Sequence, residues 1–441
     1  MNGLSGKLGY LHLWDLYFKK INMDSVRIGI WVALFIASMP VMSTAKMVPD
    51  TSPVTMSGTL PQDEKLTEEQ LFRKMMTGAH KLIEKHIAES KQGRMKYWNR
   101  EFSSRAEYDK SVLPNRQRLR HYLGVEDKTL TFTNYNIGIP DENPPPQLLK
   151  YSNDLDPKIV AETERYTIFQ VRWTVLEGVN GEGLLVQPKE EIKAHLIAIP
   201  DADQIPGQLL GLVPGVPEES QFARHLAENG FQILLPMLVN REPIMLSGNN
   251  VQSHREWLYR QAFHMGRHII GYEVQKILSA VDWFEKMYEN PTLGVIGYGE
   301  GGLIAFYTAA IDNRIDGVLV SGYFDSREKL WKEPIYRNVW GLLTEFGDAE
   351  IASLIAPRPL VVEYSEVPPG LNPSSVPDPF SAFHYTGFKG SVQTPSFATI
   401  ENEFSRISEL IPDGFQQRIL SHANRQPLPF GSTVSLKKFL E

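Results

Sequence analysis

Residues 293–324 read LGVIGYGEGGLIAFYTAAIDNRIDGVLVSGYF. Leu293–Ile296 is a short apolar run and is expected to form a strand. A glycine cluster follows, Gly297-Tyr298-Gly299-Glu300-Gly301-Gly302, and then an apolar stretch of helical length, Leu303–Ile311. Gly317–Val320 is the next strand-like run. The same alternation continues on either side. Upstream, strands are expected at Tyr166–Val175 and Gly183–Val186, with a turn at Val179–Gly181 between them, and at His195–Ile199 and Phe231–Leu235. Helices are expected at Phe222–Glu228 and, with Ile269, Ile270, Val274, Ile277, Leu278, Val281 and Phe284 at helical spacing, over Glu256–Tyr288. Downstream come strands at Leu360–Val362 and Phe415–Ser421 and a last helix at Thr433–Leu440. Alternating strands and helices predict an α/β fold with a mostly parallel sheet covered by helices.

The chain ahead of this is of another kind. Thr67-Glu68-Glu69-Gln70 is a capping-box sequence and should open a helix reaching about Gln92. A second helical segment, Tyr97–Gly124, is expected to break at Pro114, and three prolines between Asn143 and Gln147 mark a loop. Residues 66–150 thus form a helical lead-in to an α/β domain at 160–441. Residues 46–65 read as a polar linker rich in Pro, Ser and Thr. Before the linker, Arg27 precedes an apolar run, Ile28–Met42, and Ser43-Thr44-Ala45 offers small residues for a cut after Ala45. That is the order of a signal peptide. The run is shorter than the roughly 20 residues that span a bilayer. Residues 1–45 are therefore expected to be a signal with an upstream extension, its start at Met23, and the mature protein to be exported without a stable membrane span. The competing reading is an uncleaved anchor.

Composition excludes several classes. The chain has 441 residues, 42% hydrophobic and 22% charged, which is globular. Its 45 Lys and Arg stand against 52 Asp and Glu, with no basic block, which argues against a nucleic-acid partner. It has no cysteine, so disulfides, thiolate metal sites and a cysteine nucleophile are excluded.

The glycine cluster has two readings. Gly297, Gly299 and Gly302 satisfy the dinucleotide fingerprint, and Asp325 stands near the end of the next strand, where a ribose-binding acid is wanted. That fingerprint normally opens the first strand of its domain, whereas at least two strand–helix units precede this one. The other reading is a nucleophile elbow, small-x-nucleophile-x-small, whose flanks must be small because strand and helix nearly touch. Gly297 and Gly301 are then the flanks, and Gly299 holds the nucleophile position.

With these residues the chain resembles the α/β-hydrolase superfamily, and most of all its exported bacterial acetyl-xylan-esterase and dienelactone-hydrolase-like branch. The resemblance rests on 293–324, on LIAPRPLVVE at 354–363, on RHIIGYEVQKILSAVDWF at 267–284 and on IPDAD at 199–203. It implies an α/β-hydrolase fold and hydrolysis of a small or carbohydrate ester without metal or organic cofactor. It also implies an acid after the strand at 360–362, for which Glu363 and then Glu366 are the candidates, and a histidine after the last strand, His422, with His384 in reserve. Asp201 and Asp203 fall on the oxyanion-hole loop, and Glu300 borders the same pocket. Members normally carry serine at the elbow, and here Gly299 has no Oγ. Acyl-enzyme chemistry needs an oxygen or sulfur nucleophile beside a base. Two expectations therefore stand: an esterase with an unconventional nucleophile, or an inactive hydrolase-fold binding protein. Ser321 is an alternative hydroxyl. Asp201 and Asp203, one residue apart, more simply make a turn. His264 and His268 have an i, i+4 spacing that can bind zinc, but no H-E-x-x-H pattern surrounds them. Trp257, Tyr259 and Trp283 are expected to pack.

Overall fold

The computed structural model describes residues 67–129, 148–150, 159–245, 250–368, 384–385 and 390–441. The expected signal peptide, the linker and the proline loop at 143–147 lie outside the described residues. Contacts divide the chain into 1–71 and 72–441. Of the first unit Thr67–Leu71 is described. There Thr67 N–H donates to Gln70 Oε1 and Gln70 N–H to Thr67 Oγ1, the reciprocal bonds of a capping box.

A sheet of ten strands organises the second unit. In chain order these are β1 (Leu148–Lys150), β2 (Ile159–Glu162), β3 (Tyr166–Leu176), β4 (Val179–Pro188), β5 (His195–Ile199), β6 (Gln232–Pro236), β7 (Leu293–Tyr298), β8 (Gly317–Ser321), β9 (Leu360–Glu363) and β10 (Arg418–Ser421). Their spatial order is β1-β3-β4-β6-β5-β7-β8-β9-β10, with β2 beside β3. From β6 to β10 every pairing is parallel, and β1 to β4 are antiparallel. The longer helices are α1 (Glu68–Gly93), α2 (Arg105–Tyr122), α3 (Phe222–Glu228), α4 (His254–Phe263), α5 (Ile269–Met287), α6 (Glu300–Ile311), α7 (Asp348–Ile355), α8 (Phe397–Ser405) and α9 (Thr433–Leu440).

Strand period divides the core between the two faces. In β5, Ile197 and Ile199 join the cluster built on α5 and α6, while Leu196 and Ala198 join the one built on α3 and Leu436 of α9. Because helices cover both faces, the central strands are buried throughout and read as unbroken apolar runs.

Three expectations are corrected. Pro114 does not end a helix, because α2 runs through it. Buried Tyr108, Val112 and Leu119 hold both halves of α2 on the core, which offsets the lost hydrogen bond. Val179–Gly181 is strand rather than turn, and the chain reverses at Glu177–Gly178, where Gly178 has φ +72°. Gly181 is small because Trp173 lies over it: a Cβ there would stand 2.1 Å from the indole. The long helix at 256–288 is two helices. Gly266, at φ +62°, and the N-cap residue His268 separate α4 from α5.

The approach of β7 to α6 places the site. A Cβ on Gly297 would stand 2.0 Å from the Gly301 carbonyl oxygen, and one on Gly301 2.2 Å from that of Ile199. Gly297→Ala should therefore destabilise the protein by about 3 kcal/mol, the upper range for overpacking. Urea unfolding reads this, and an unchanged midpoint would show that strand and helix can separate freely.

Candidate functional site

Gly299 is the turn between β7 and α6. Its backbone sits at φ 59°, ψ −119°, which glycine adopts without a Cβ penalty. Its N–H donates to the Ser321 carbonyl at 3.0 Å, tying the turn to the end of β8. The backbone thus makes a sharp strand-to-helix turn, of the kind expected for a nucleophile elbow, with no side chain at its apex.

Asp201 fills the space at that apex. It follows β5, is fully buried, and its Oδ1 would stand 2.4 Å from a Cβ placed on Gly299. Pro368 Cγ would be 2.5 Å from the same Cβ. Asp201 Oδ1 accepts the Glu300 N–H at 2.9 Å. In an elbow, the N–H of the residue after the nucleophile is an oxyanion-hole donor. Here a protein carboxylate already holds it. Arg241 grips the other side of Asp201, Nη1 to Oδ2 at 2.6 Å and Nη2 to Oδ1 at 2.8 Å. Burial alone would raise the Asp201 carboxyl, but the Arg241 charge and these hydrogen bonds lower it. Asp203, half-exposed, binds Arg241 through its N–H and Nη1.

Glu300 extends the network inward. It is fully buried at the head of α6 and receives Arg337 Nε at 2.7 Å, Arg241 Nη2 at 3.3 Å and Arg255 Nη2 at 3.5 Å. Burial pushes its carboxyl up, yet the three guanidiniums outweigh that and bring it down to about 2. Arg255 is also held by Glu273 at 2.8 Å, and Arg337 by Glu333 at 2.9 Å. The Tyr336 hydroxyl oxygen accepts the Arg241 Nε–H at 3.0 Å. Three arginines and their acids thus occupy the volume next to the elbow.

The remaining candidates lie along the same edge of the sheet. Tyr298, Ser321, Glu363 and Ser421 are in register on β7 to β10. Glu363 is buried. Its oxygens accept Ser321 Oγ at 2.6 Å, Gly431 N–H at 2.7 Å, Ser432 N–H at 3.0 Å and Ser432 Oγ at 2.6 Å. It thereby fixes the segment entering α9. Glu366 is exposed, and its carbonyl accepts the Tyr298 hydroxyl at 3.1 Å. His422 is half-buried. Its Nδ1 accepts the Arg425 N–H at 3.0 Å, and its ring meets Phe397 edge-on at 4.7 Å. Among the described residues no hydrogen bond joins His422 to Glu363 or Glu366. Ser321 is buried and shares its Oγ with Glu363 and Ser365. His384 lies on a two-residue strand paired with Asn250–Ser253, in a small separate sheet.

The other histidines serve local structure. His254 Nδ1 bonds Asn240 Oδ1 at 2.6 Å. His264 caps the end of α4, while His268 caps the start of α5, so the two do not share a helix. Burial lowers His268 to about 4; its Nδ1 accepts the Ile270 N–H and its Nε2 donates to the Asn338 carbonyl. No group of three or more metal-ligating side chains is assembled among the described residues. Tyr259 and Trp283 are buried in packing, and Trp257 is partly exposed. An open cavity of about 680 Å³ exists elsewhere, lined by Tyr122, Phe263, Arg267, His268 and Trp340 among others.

A mostly parallel sheet covered by helices on both faces, with a sharp turn between its central strand and the following helix, defines an α/β-hydrolase fold, here with a carboxylate filling the space at the turn. Residues 197–332, which hold the Asp201 loop, the turn at Gly299, Arg241 and Arg255, match the dienelactone hydrolase family. Over 110 residues the chain is 31% identical to YtaP of Bacillus subtilis (strain 168), named as a hydrolase, covering 23% of this chain and 37% of that one. The match thus spans little more than a third of that relative's length. A structure from Bacteroides fragilis assigned as an acetyl xylan esterase aligns at 12% identity over 82% of this chain and 88% of its own, with a TM-score of 0.47. Acetyl xylan esterase 1 from Thermoanaerobacterium sp. JW/SL YS485 aligns at 12% identity over 74% and 97%, with a TM-score of 0.41.

Sequence reasoning placed Asp201 and Glu300 at the pocket but missed Arg241, Arg255, Arg337 and Glu273. One signal was available. Glu273 stands at helical spacing from Ile270 and Ile277, on the apolar face of α5, and a charge there requires a buried partner.

Glu300→Gln should leave three buried guanidiniums short of one carboxylate and cost about 3–5 kcal/mol at neutral pH. Because the folded carboxyl is depressed, its contribution is complete above the ordinary value of 4.5 and is lost as pH falls through about 2. The variant should lose that part of the acid limb, as read by unfolding free energy between neutral pH and pH 2. An acid limb identical to the parent's would mean that Glu300 is not held ionised.

Proposed function

We infer that this chain is an esterase-type hydrolase scaffold whose elbow no longer performs acyl transfer, and that it acts by binding. One observation carries the reading: the Asp201 carboxylate occupies both the oxyanion-hole N–H of Glu300 and the space of the missing side chain at Gly299. An oxyanion hole works because its donors wait for charge that develops in the transition state. A donor saturated by a fixed carboxylate has nothing left to offer. The open cavity beside Phe263 and Trp340 is the place for a ligand in this reading, and His268 at the start of α5 is part of its lining.

The dienelactone hydrolase match over 197–332 favours a second reading, ester hydrolysis in which the Asp201 carboxylate attacks the acyl carbon. Its burial and its two bonds to Arg241 oppose this. Turnover of 4-nitrophenyl acetate and of acetylated xylo-oligosaccharides by the purified protein separates the two. We expect no turnover above buffer. We also expect Gly299→Ser to be silent and destabilised by about 1–3 kcal/mol, since its Cβ meets Asp201 and Pro368. Turnover by the unmodified protein that vanishes in Asp201→Asn would replace the binding reading with the catalytic one.

We read the protein as exported, on the strength of the order Arg27, Ile28–Met42, Ser43-Thr44-Ala45. Among the described residues no helix is long and apolar enough to cross a membrane. Amino-terminal sequencing of protein recovered outside the cytoplasm should begin at Lys46. A start within residues 1–27 would instead indicate a retained anchor.

A further inference from the structure

The cavity of about 680 Å³ lies where helices end. α2 stops at Tyr122, and α4 stops at Phe263, where Gly266 turns the chain at φ +62° and His268 caps the start of α5. Tyr122, Phe263 and Trp340 line the space. Its size falls within the roughly 300–1,000 Å³ of small-molecule sites. Trp340 is 78% exposed and Phe263 46%, although rings of this size are ordinarily buried. The two rings have centroids 6.5 Å apart and planes at 70° to one another. Such a corner suits a further ring, which can lie flat on one wall and meet the other edge-on.

The polar side chains of the lining are already engaged. Arg118 gives Nε and Nη2 to the Glu345 carboxylate at 2.7 and 2.9 Å. Arg267 gives Nε and Nη2 to Asp127 at 2.9 and 2.8 Å, and Nη1 to the Met265 carbonyl at 3.2 Å. His121 Nδ1 bonds Glu126 Oε1 at 2.7 Å. His268 uses both ring nitrogens, one on the Ile270 N–H and one on the Asn338 carbonyl. Each arginine thus has its own carboxylate, with which an anionic ligand would have to compete. A ligand rich in hydroxyls would give up water for lining groups that are already bonded, which is costly. What the cavity offers a ligand is ring faces.

We propose that this cavity binds a neutral, flat aromatic molecule of naphthalene size, stacked on Trp340 or Phe263 and bounded by Tyr122. The proposal rests on the reading of the chain as a binding protein and names the class of ligand it binds.

Isothermal titration calorimetry on the full chain tests this with 2-naphthalenemethanol, 2-naphthoate and xylotetraose. The first is neutral and flat, the second adds a carboxylate to the same rings, and the third is neutral and rich in hydroxyls. We expect the alcohol to bind with a Kd of about 0.1 mM. The naphthoate should bind at least about tenfold more weakly, since its charge loses water without gaining an unpaired cation. Xylotetraose should not bind. Trp340→Ala should weaken the alcohol by at least about tenfold, and Trp340→Phe, which keeps a ring, should retain most of the affinity. Trp340 is exposed, so neither change removes a core side chain. The proposal is overturned if the alcohol does not bind, as would follow were a segment of this chain to occupy the cavity, or if Trp340→Ala leaves its affinity unchanged. It is overturned equally if 2-naphthoate binds as tightly as the alcohol or more so, or if xylotetraose binds and Trp340→Ala abolishes that binding. Those last two results keep the binding reading with a different ligand. Failure of that reading shows separately, as ester turnover that depends on Asp201.

Discussion

The hydrogen bond from the Glu300 N–H to the Asp201 carboxylate organises this site. A helix that begins at a sharp elbow points its first N–H groups at the end of the neighbouring strands, and these donors require an acceptor. Asp201 supplies one permanently. A buried carboxylate then needs a cation, which is Arg241, and Arg241 brings Tyr336 and Asp203 with it. Glu300, buried beside Asp201, needs its own cations, Arg337 and Arg255, and these in turn take Glu333 and Glu273. Each charge is present because the one before it is out of water, where an unpaired ion costs several kcal/mol. The cluster is consequently a solid part of the fold, packed against the turn at Gly299.

The geometry around the elbow depends on strand and helix touching. Gly297 and Gly301 allow a contact that any side chain would block, and the carbonyls of Ile199 and Gly301 stand where Cβ atoms would otherwise be. That contact brings the loop after β5 within reach of the elbow. Without it Asp201 could not meet the Glu300 N–H, so the glycines that let strand and helix touch also let the carboxylate fill the turn.

Much of the fold was legible because burial on both faces writes itself as unbroken apolar runs. His195–Ile199, Phe231–Leu235, Leu293–Ile296, Gly317–Val320 and Leu360–Val362 all correspond to strands within a residue or two. The tight turn between β7 and α6 was legible because close backbone approach demands glycine at fixed spacing. Less was legible where one residue type has two uses. Gly181 looks like a turn residue but carries an indole, and Gly266 sits within a helical pattern but ends a helix. The ion-pair network had no period to betray it. Asp201 and Arg241 are separated along the chain by α3 and β6, and nothing local to either names the other. Positions after strands were readable for Glu363 and His422, but their hydrogen bonds were not, since these go to Gly431, Ser432 and Arg425 in loops whose paths depend on tertiary packing.

The filled turn also bears on which substitutions the chain can accept. A glycine codon and a serine codon can differ by a single base, so serine at position 299 is one mutation away. Here the apex is hemmed in by Asp201 and Pro368. A serine at position 299 would arrive in occupied space, and clearing that space by removing Asp201 would strand Arg241 without its carboxylate. A hydroxyl at this apex therefore requires several coordinated substitutions, each unfavourable alone, so that the ion pair acts as a latch on position 299.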